Sequence, residues 1–103
     1  MGATLDSVSV IIDDKSNSLE EQIELFEKQF SSLKENGEYR FETVKNSENL
    51  AKLLRYLRGK DEKESELAKD LEIQVLDPRF DPELGIPNIY VIVKKILKRV
   101  WYN

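Results

Sequence analysis

The chain has 103 residues, 40% of them apolar and 35% charged, carries a net charge of −4, and contains neither cysteine nor histidine. This length supports one α/β domain over residues 1–103, and the apolar content lies well away from the signature of disorder. Zero cysteines exclude a disulfide framework, thiolate zinc and a cysteine nucleophile, while zero histidines exclude the commonest general base and metal ligand and the usual serine triad.

Residues 7–12 begin with polar/apolar alternation and end in Val10, Ile11 and Ile12, which predicts a strand buried on both sides at its end. Ser18, with Glu21 three residues on, forms a capping box for a helix reaching about Glu35. Leu19, Ile23, Phe26, Phe30 and Leu33 recur at spacings of three and four as its core stripe, and Asn36-Gly37 supplies a left-handed stop. Tyr39, Phe41 and Thr43 then alternate as a second strand. Asn46 or Ser47 caps a second helix with Leu50, Ala51, Leu53, Leu54 and Leu57 on its apolar side, and Gly59 is its predicted end. Residues 60–66 alternate charges without an apolar residue, reading as a solvated loop or the exposed start of a short helix carrying Leu67, Ala68 and Leu71. Ile73, Val75 and Leu76 form a third strand.

Residues 77–90 gather all three prolines and three carboxylates, so Leu76 and Ile89 are joined by a rigid, non-helical excursion. Beyond it, residues 89–93 are β-branched enough to predict a strand over about 88–93, followed by a short helix or a strand extension through Trp101. The order β-α-β-α-β-β points to an α/β fold, a small, mainly parallel sheet with flanking helices, with a two-layer α+β sandwich as the alternative. The longest apolar run, residues 89–93, is far short of the ~20 residues of a membrane span, and the N-terminus lacks a signal-peptide layout, so a cytoplasmic home without membrane attachment is expected.

Two predicted strands end in acid, Asp13-Asp14 and Asp77. If those strands were neighbours, the three carboxylates would form an oxygen cage suited to Mg²⁺. On Val10-Ile11-Ile12-Asp13-Asp14 and Val75-Leu76-Asp77 the chain resembles the first half of a response-regulator receiver domain. The resemblance spans about three strands. It implies an acidic pair at Asp13 and Asp14, a phosphoacceptor at Asp77 and Mg²⁺ as the possible cofactor. Read as turn and cap residues, the same aspartates bind nothing.

Lys94, Lys95, Lys98 and Arg99 put four cations into the last ten residues, on an otherwise acidic chain. Beside Trp101 and Tyr102 they offer stacking groups next to cations, as nucleic-acid binders do. Apolar residues on both faces of 89–93, extended by Ile96, Leu97, Val100, Trp101 and Tyr102, instead favour burial against a second copy. The expected function is a non-catalytic intracellular protein-interaction or regulatory module that needs no cofactor and self-associates through Tyr90, Lys94, Lys95, Lys98, Arg99, Trp101 and Tyr102. A receiver-like signalling domain and a nucleic-acid binder are the alternatives.

Overall fold

The computed structural model describes residues 8–66 and 69–97. Leu67 and Ala68, and the candidate partner residues Lys98, Arg99, Trp101 and Tyr102, lie outside the described residues. The elements run β1 (Val8–Asp13), α1 (Leu19–Gln29), a 3₁₀ turn (Phe30–Ser32), β2 (Leu33–Val44), α2 (Ser47–Glu66), β3 (Lys69–Leu76), a second 3₁₀ turn (Pro82–Leu84) and β4 (Ile89–Leu97).

The α/β class holds, but the sheet is mixed rather than mainly parallel. Its order is β1-β2-β4-β3. β1 pairs parallel with β2, whereas β4 runs antiparallel to both β2 and β3. The connection between β3 and β4 explains the correction. A parallel return needs a long crossover, usually helical, and the proline-rich segment supplies only a reversal, so β4 turns back and inserts between β2 and β3.

α1 and α2 lie on one face of this sheet. Phe26, Phe30, Leu53 and Leu57 pack there against Tyr39 and Phe41 of β2 and Ile89, Val91 and Val93 of β4, with Leu19, Ile23, Leu50, Leu54, Ile11 and Ile73 around them. Phe26 meets Tyr39 edge-on at 4.9 Å and lies 5.4 Å from Phe41. Each fully buried side chain of this kind stabilises the fold by roughly 1.5–3 kcal/mol. Ala51, expected on the buried side of the second helix, is exposed.

Three boundaries differ from expectation for local reasons. The first helix gives way at Phe30 to a 3₁₀ turn, and Leu33 is already extended at φ −79°, ψ 127°. Asn36 takes the left-handed conformation, φ 65°, inside β2 instead of after a helix. There the register jumps from Val8↔Leu33 to Val10↔Glu38, so the Asn36-Gly37 signal builds a bulge. A Cβ on Gly37 would lie 2.8 Å from both Leu33 Cδ1 and Lys34 O, which requires glycine at that position. Gly59 is passed by α2 without a break, because the formers that follow it continue the helix.

Strand alternation divides the sheet into a covered and an open face. The rows Ile11-Tyr39-Val93-Ile73 and Asp13-Phe41-Val91-Val75 face the helices, and the rows Val10-Glu38-Lys94-Glu72 and Ile12-Arg40-Ile92-Gln74 face away. The expectation that β1 ends buried on both sides therefore fails. It is an edge strand with one covered face, and Val10 and Ile12 are each 49% exposed.

Candidate functional site

Asp13 closes β1 and is buried. Its Oδ1 accepts the backbone N–H groups of Ser16 at 3.0 Å and Lys15 at 3.3 Å, while its Oδ2 accepts the Ser16 hydroxyl at 2.7 Å. Short polar side chains form such turns because they reach the next backbone donors. Ser18 then caps α1, its hydroxyl accepting from Glu21 N, and Glu21 Oε1 accepts from Asn17 N. Asp14 is exposed.

Asp77 closes β3 and is also buried, but it is tied to a different partner. Arg79 donates its Nη2–H to Asp77 Oδ2 at 2.6 Å and its Nε–H to Oδ1 at 3.0 Å, and its backbone N–H donates to Oδ1 at 2.9 Å. The Arg79 hydrogen bonds hold the Asp77 carboxyl below the usual carboxylate range, against an opposing effect of burial. Arg79 Nη1 also donates to Ser47 Oγ at 2.7 Å, linking this loop to the start of α2. The backbone N–H groups of Phe80 and Asp81 both donate to the Asp77 carbonyl.

The structure does not bring these carboxylates together. β1 and β3 are opposite edges of the sheet, three strand spacings or about 14 Å apart. Among the described residues no group of three His, Cys, Asp or Glu side chains is arranged to hold a metal ion. The geometry that the receiver resemblance requires of Asp13, Asp14 and Asp77 is absent, because β2 and β4 separate the two strands.

The basic residues separate as well. Lys94 lies on the open face, in register between Glu38 and Glu72. Lys95, one residue on, points into the covered face, where its Nζ donates to Leu33 O at 3.0 Å and lies 4.6 Å from the Phe30 ring centre. Lys94 and Lys95 therefore share no exposed face, contrary to what a nucleic-acid surface there requires. Tyr90 is half-buried, opposite Leu76. Of the apolar residues expected on both faces of 89–93, Ile89, Val91 and Val93 are core on the covered face, whereas Tyr90 and Ile92 are half-buried on the open face.

Among the described residues, exposed apolar surface occurs at two other places. One is β1, with Val8, Val10 and Ile12 on the open face. The other is the proline-rich loop, where Phe80 is 84% exposed. It borders a hollow of about 360 Å³ lined by Leu50, Val75, Leu76, Phe80 and Leu84, with Asp77 and Asp81 among its polar groups. Gly85, in the left-handed conformation at φ 67°, ends the 3₁₀ turn that carries Leu84.

Sequence reasoning missed the buried polar groups under α1 and α2. Gln22 is buried, and its Nε2 donates to Thr43 Oγ1 at 2.9 Å. Tyr39 is fully buried with no hydrogen-bond partner for its hydroxyl among the described residues, and burial, with Asp13 nearby, pushes its ionisation above the ordinary tyrosine value. Gln22 follows Glu20 and Glu21, and Tyr39 lies on an alternating strand, so neither pattern distinguishes a buried polar atom from a surface one. Among the described residues no helix is long and apolar enough to cross a membrane. No family model, no curated protein and no solved structure matches the chain.

Proposed function

We propose that this chain is a non-catalytic intracellular protein-interaction module, regulatory in kind, that self-associates edge to edge through β1. The observation that supports this reading is the character of that edge. From Val8 to Ile12 it has no charge and no proline, and its outward side chains are apolar. Natural edge strands are usually blunted by lysine, proline, bulges or inward charges, because an unpaired row of backbone groups is a template for another chain.

The segment is also self-complementary, as a two-fold contact requires. Antiparallel pairing centred on Val10 places Val10 opposite its own counterpart and Val8 opposite Ile12 of the second copy. On an acidic chain the uncharged stretch from Val8 to Ile12 brings two copies together without setting like charges opposite each other within it. Asp13 and Asp77 support the non-catalytic reading, since both carboxylates are occupied by local hydrogen bonds.

Sedimentation at tens of micromolar tests the proposal. The expected species has twice the 12.0 kDa chain mass, and Val10→Lys, at an exposed position, returns it to a single chain without loss of fold. A single chain for the unmodified protein, or an intact dimer for Val10→Lys, would overturn it.

A further inference from the structure

The loop after β3 presents an apolar side chain to solvent on an ordered support. Phe80 is 84% exposed, yet the backbone beneath it is fixed by the Asp77 carbonyl, and the Asp77–Arg79–Ser47 chain holds the loop to α2. An aromatic group presented this way loses little freedom when a partner docks on it. Beside it lies the hollow floored by Leu50, Val75 and Leu84. Of the three carboxylates on this loop, Asp77 is neutralised by Arg79, whereas Asp81 and Glu83 face no cation among the described residues. The site calls for an apolar or aromatic side chain accompanied by positive charge.

The chain carries such a segment itself, in Lys98, Arg99, Val100, Trp101 and Tyr102. Its backbone falls short of its own hollow. Leu76 pairs with Tyr90 at the loop end of the sheet, while Leu97 pairs with Lys69 at the other end, seven residues or about 23 Å away. Trp101 is four residues beyond Leu97 and spans at most ~14 Å. We infer that the hollow beside Phe80 receives residues 98–102 of a second copy, with Trp101 against Phe80 and the apolar floor and with Lys98 and Arg99 near Asp81 and Glu83. The contact joins unlike surfaces, so it links copies head to tail; resting on one aromatic group and screened surface charges, it forms at millimolar and not at micromolar concentration, so sedimentation at tens of micromolar reads β1 pairing alone.

The test adds a synthetic peptide of residues 97–103 to isotope-labelled full-length chain carrying Trp101→Ala, which removes the competing aromatic group. Localised amide shifts are expected at Leu50, Val75, Phe80 and Leu84, weakening as salt screens the charges. They are expected to disappear with Phe80→Ala, an exposed change whose fold is checked by the unchanged remainder of the spectrum. Three results would each overturn the inference: no localised shifts at millimolar peptide, the same shifts with Phe80→Ala, or equal binding by a peptide with alanine at position 101. The last would assign the surface to basic segments in general. Val10→Lys in the labelled chain leaves peptide binding intact, so failure here and failure of the β1 dimer are read separately.

Discussion

Along β1 the open face of the sheet carries Val8, Val10 and Ile12, whereas along β3 the same face carries Asp70, Glu72 and Gln74. The covered faces differ in the opposite sense. β3 presents buried Leu71 and half-buried Ile73 toward the helices, and Asp61 of α2 accepts the Leu71 backbone N–H at 2.8 Å. β1 presents half-buried Ile11. One edge is thus anchored from within and acidic outside, and the other is lightly anchored and apolar outside. An edge built like β3 meets water with charge and is poor at pairing, while one built like β1 keeps surface free for a partner.

The largest effect separating the two edges should come from their covered faces. Leu71→Ala removes a buried side chain and is expected to cost about 2–4 kcal/mol, including the cavity it leaves. Ile11→Ala removes a half-buried side chain from the other edge and should cost about 1–2 kcal/mol. Chemical denaturation of the two variants measures the difference. Equal losses would mean that β1 is as firmly anchored as β3 and that its apolar open face is not accompanied by weak attachment.

The aspartates that close the two edges give the next contrast. The folded ionisation of Asp77 is lowered, chiefly by its hydrogen bonds from Arg79. A carboxyl lowered in the fold contributes stability above its unfolded value of about 3.9, and that contribution disappears as pH falls through the lower folded value. The unfolding free energy should therefore fall below about pH 4 more steeply in the unmodified chain than in Asp77→Asn, which has no such carboxylate to protonate. Denaturation curves between pH 2 and 6 decide it. Identical acid limbs would remove the Arg79 pair as a source of acid sensitivity.

The sequence carried the order β-α-β-α-β-β, the Ser18 and Asn46 caps and most of the core stripe, since these rest on local spacing and short-range bonds. It did not carry the strand order, which depends on where β4 returns. That one choice separates Asp13 from Asp77, makes residues 89–93 central and leaves Ile12 half in water. Alternation showed that Val10-Ile11-Ile12 was a strand, but an uninterrupted apolar trio reads the same in a doubly covered strand and in an edge that pairs with another chain. Of the candidate site residues, Asp13 and Asp77 were legible as turn residues. Lys95 was not legible as buried, because a lysine on a strand gives no sign of which face it occupies.

The smallest effect on folding, and the sharpest test of what distinguishes the edges, exchanges their outer character. Glu72→Val with Gln74→Val gives β3 two apolar side chains on the open face, at exposed positions where substitutions typically change stability by no more than about 0.5 kcal/mol. If charge is what keeps β3 from pairing, this chain has two adhesive edges, and a closed pair becomes an open series of sheets. Light scattering at tens of micromolar should then show masses rising with concentration beyond two chains. Adding Val10→Lys to the same chain should limit association to pairs again, now through β3, because only one apolar edge remains. If the β3 change leaves the mass at two chains, side-chain charge is not what protects that edge, and protection must come from its backbone geometry or from the way α2 lies over it.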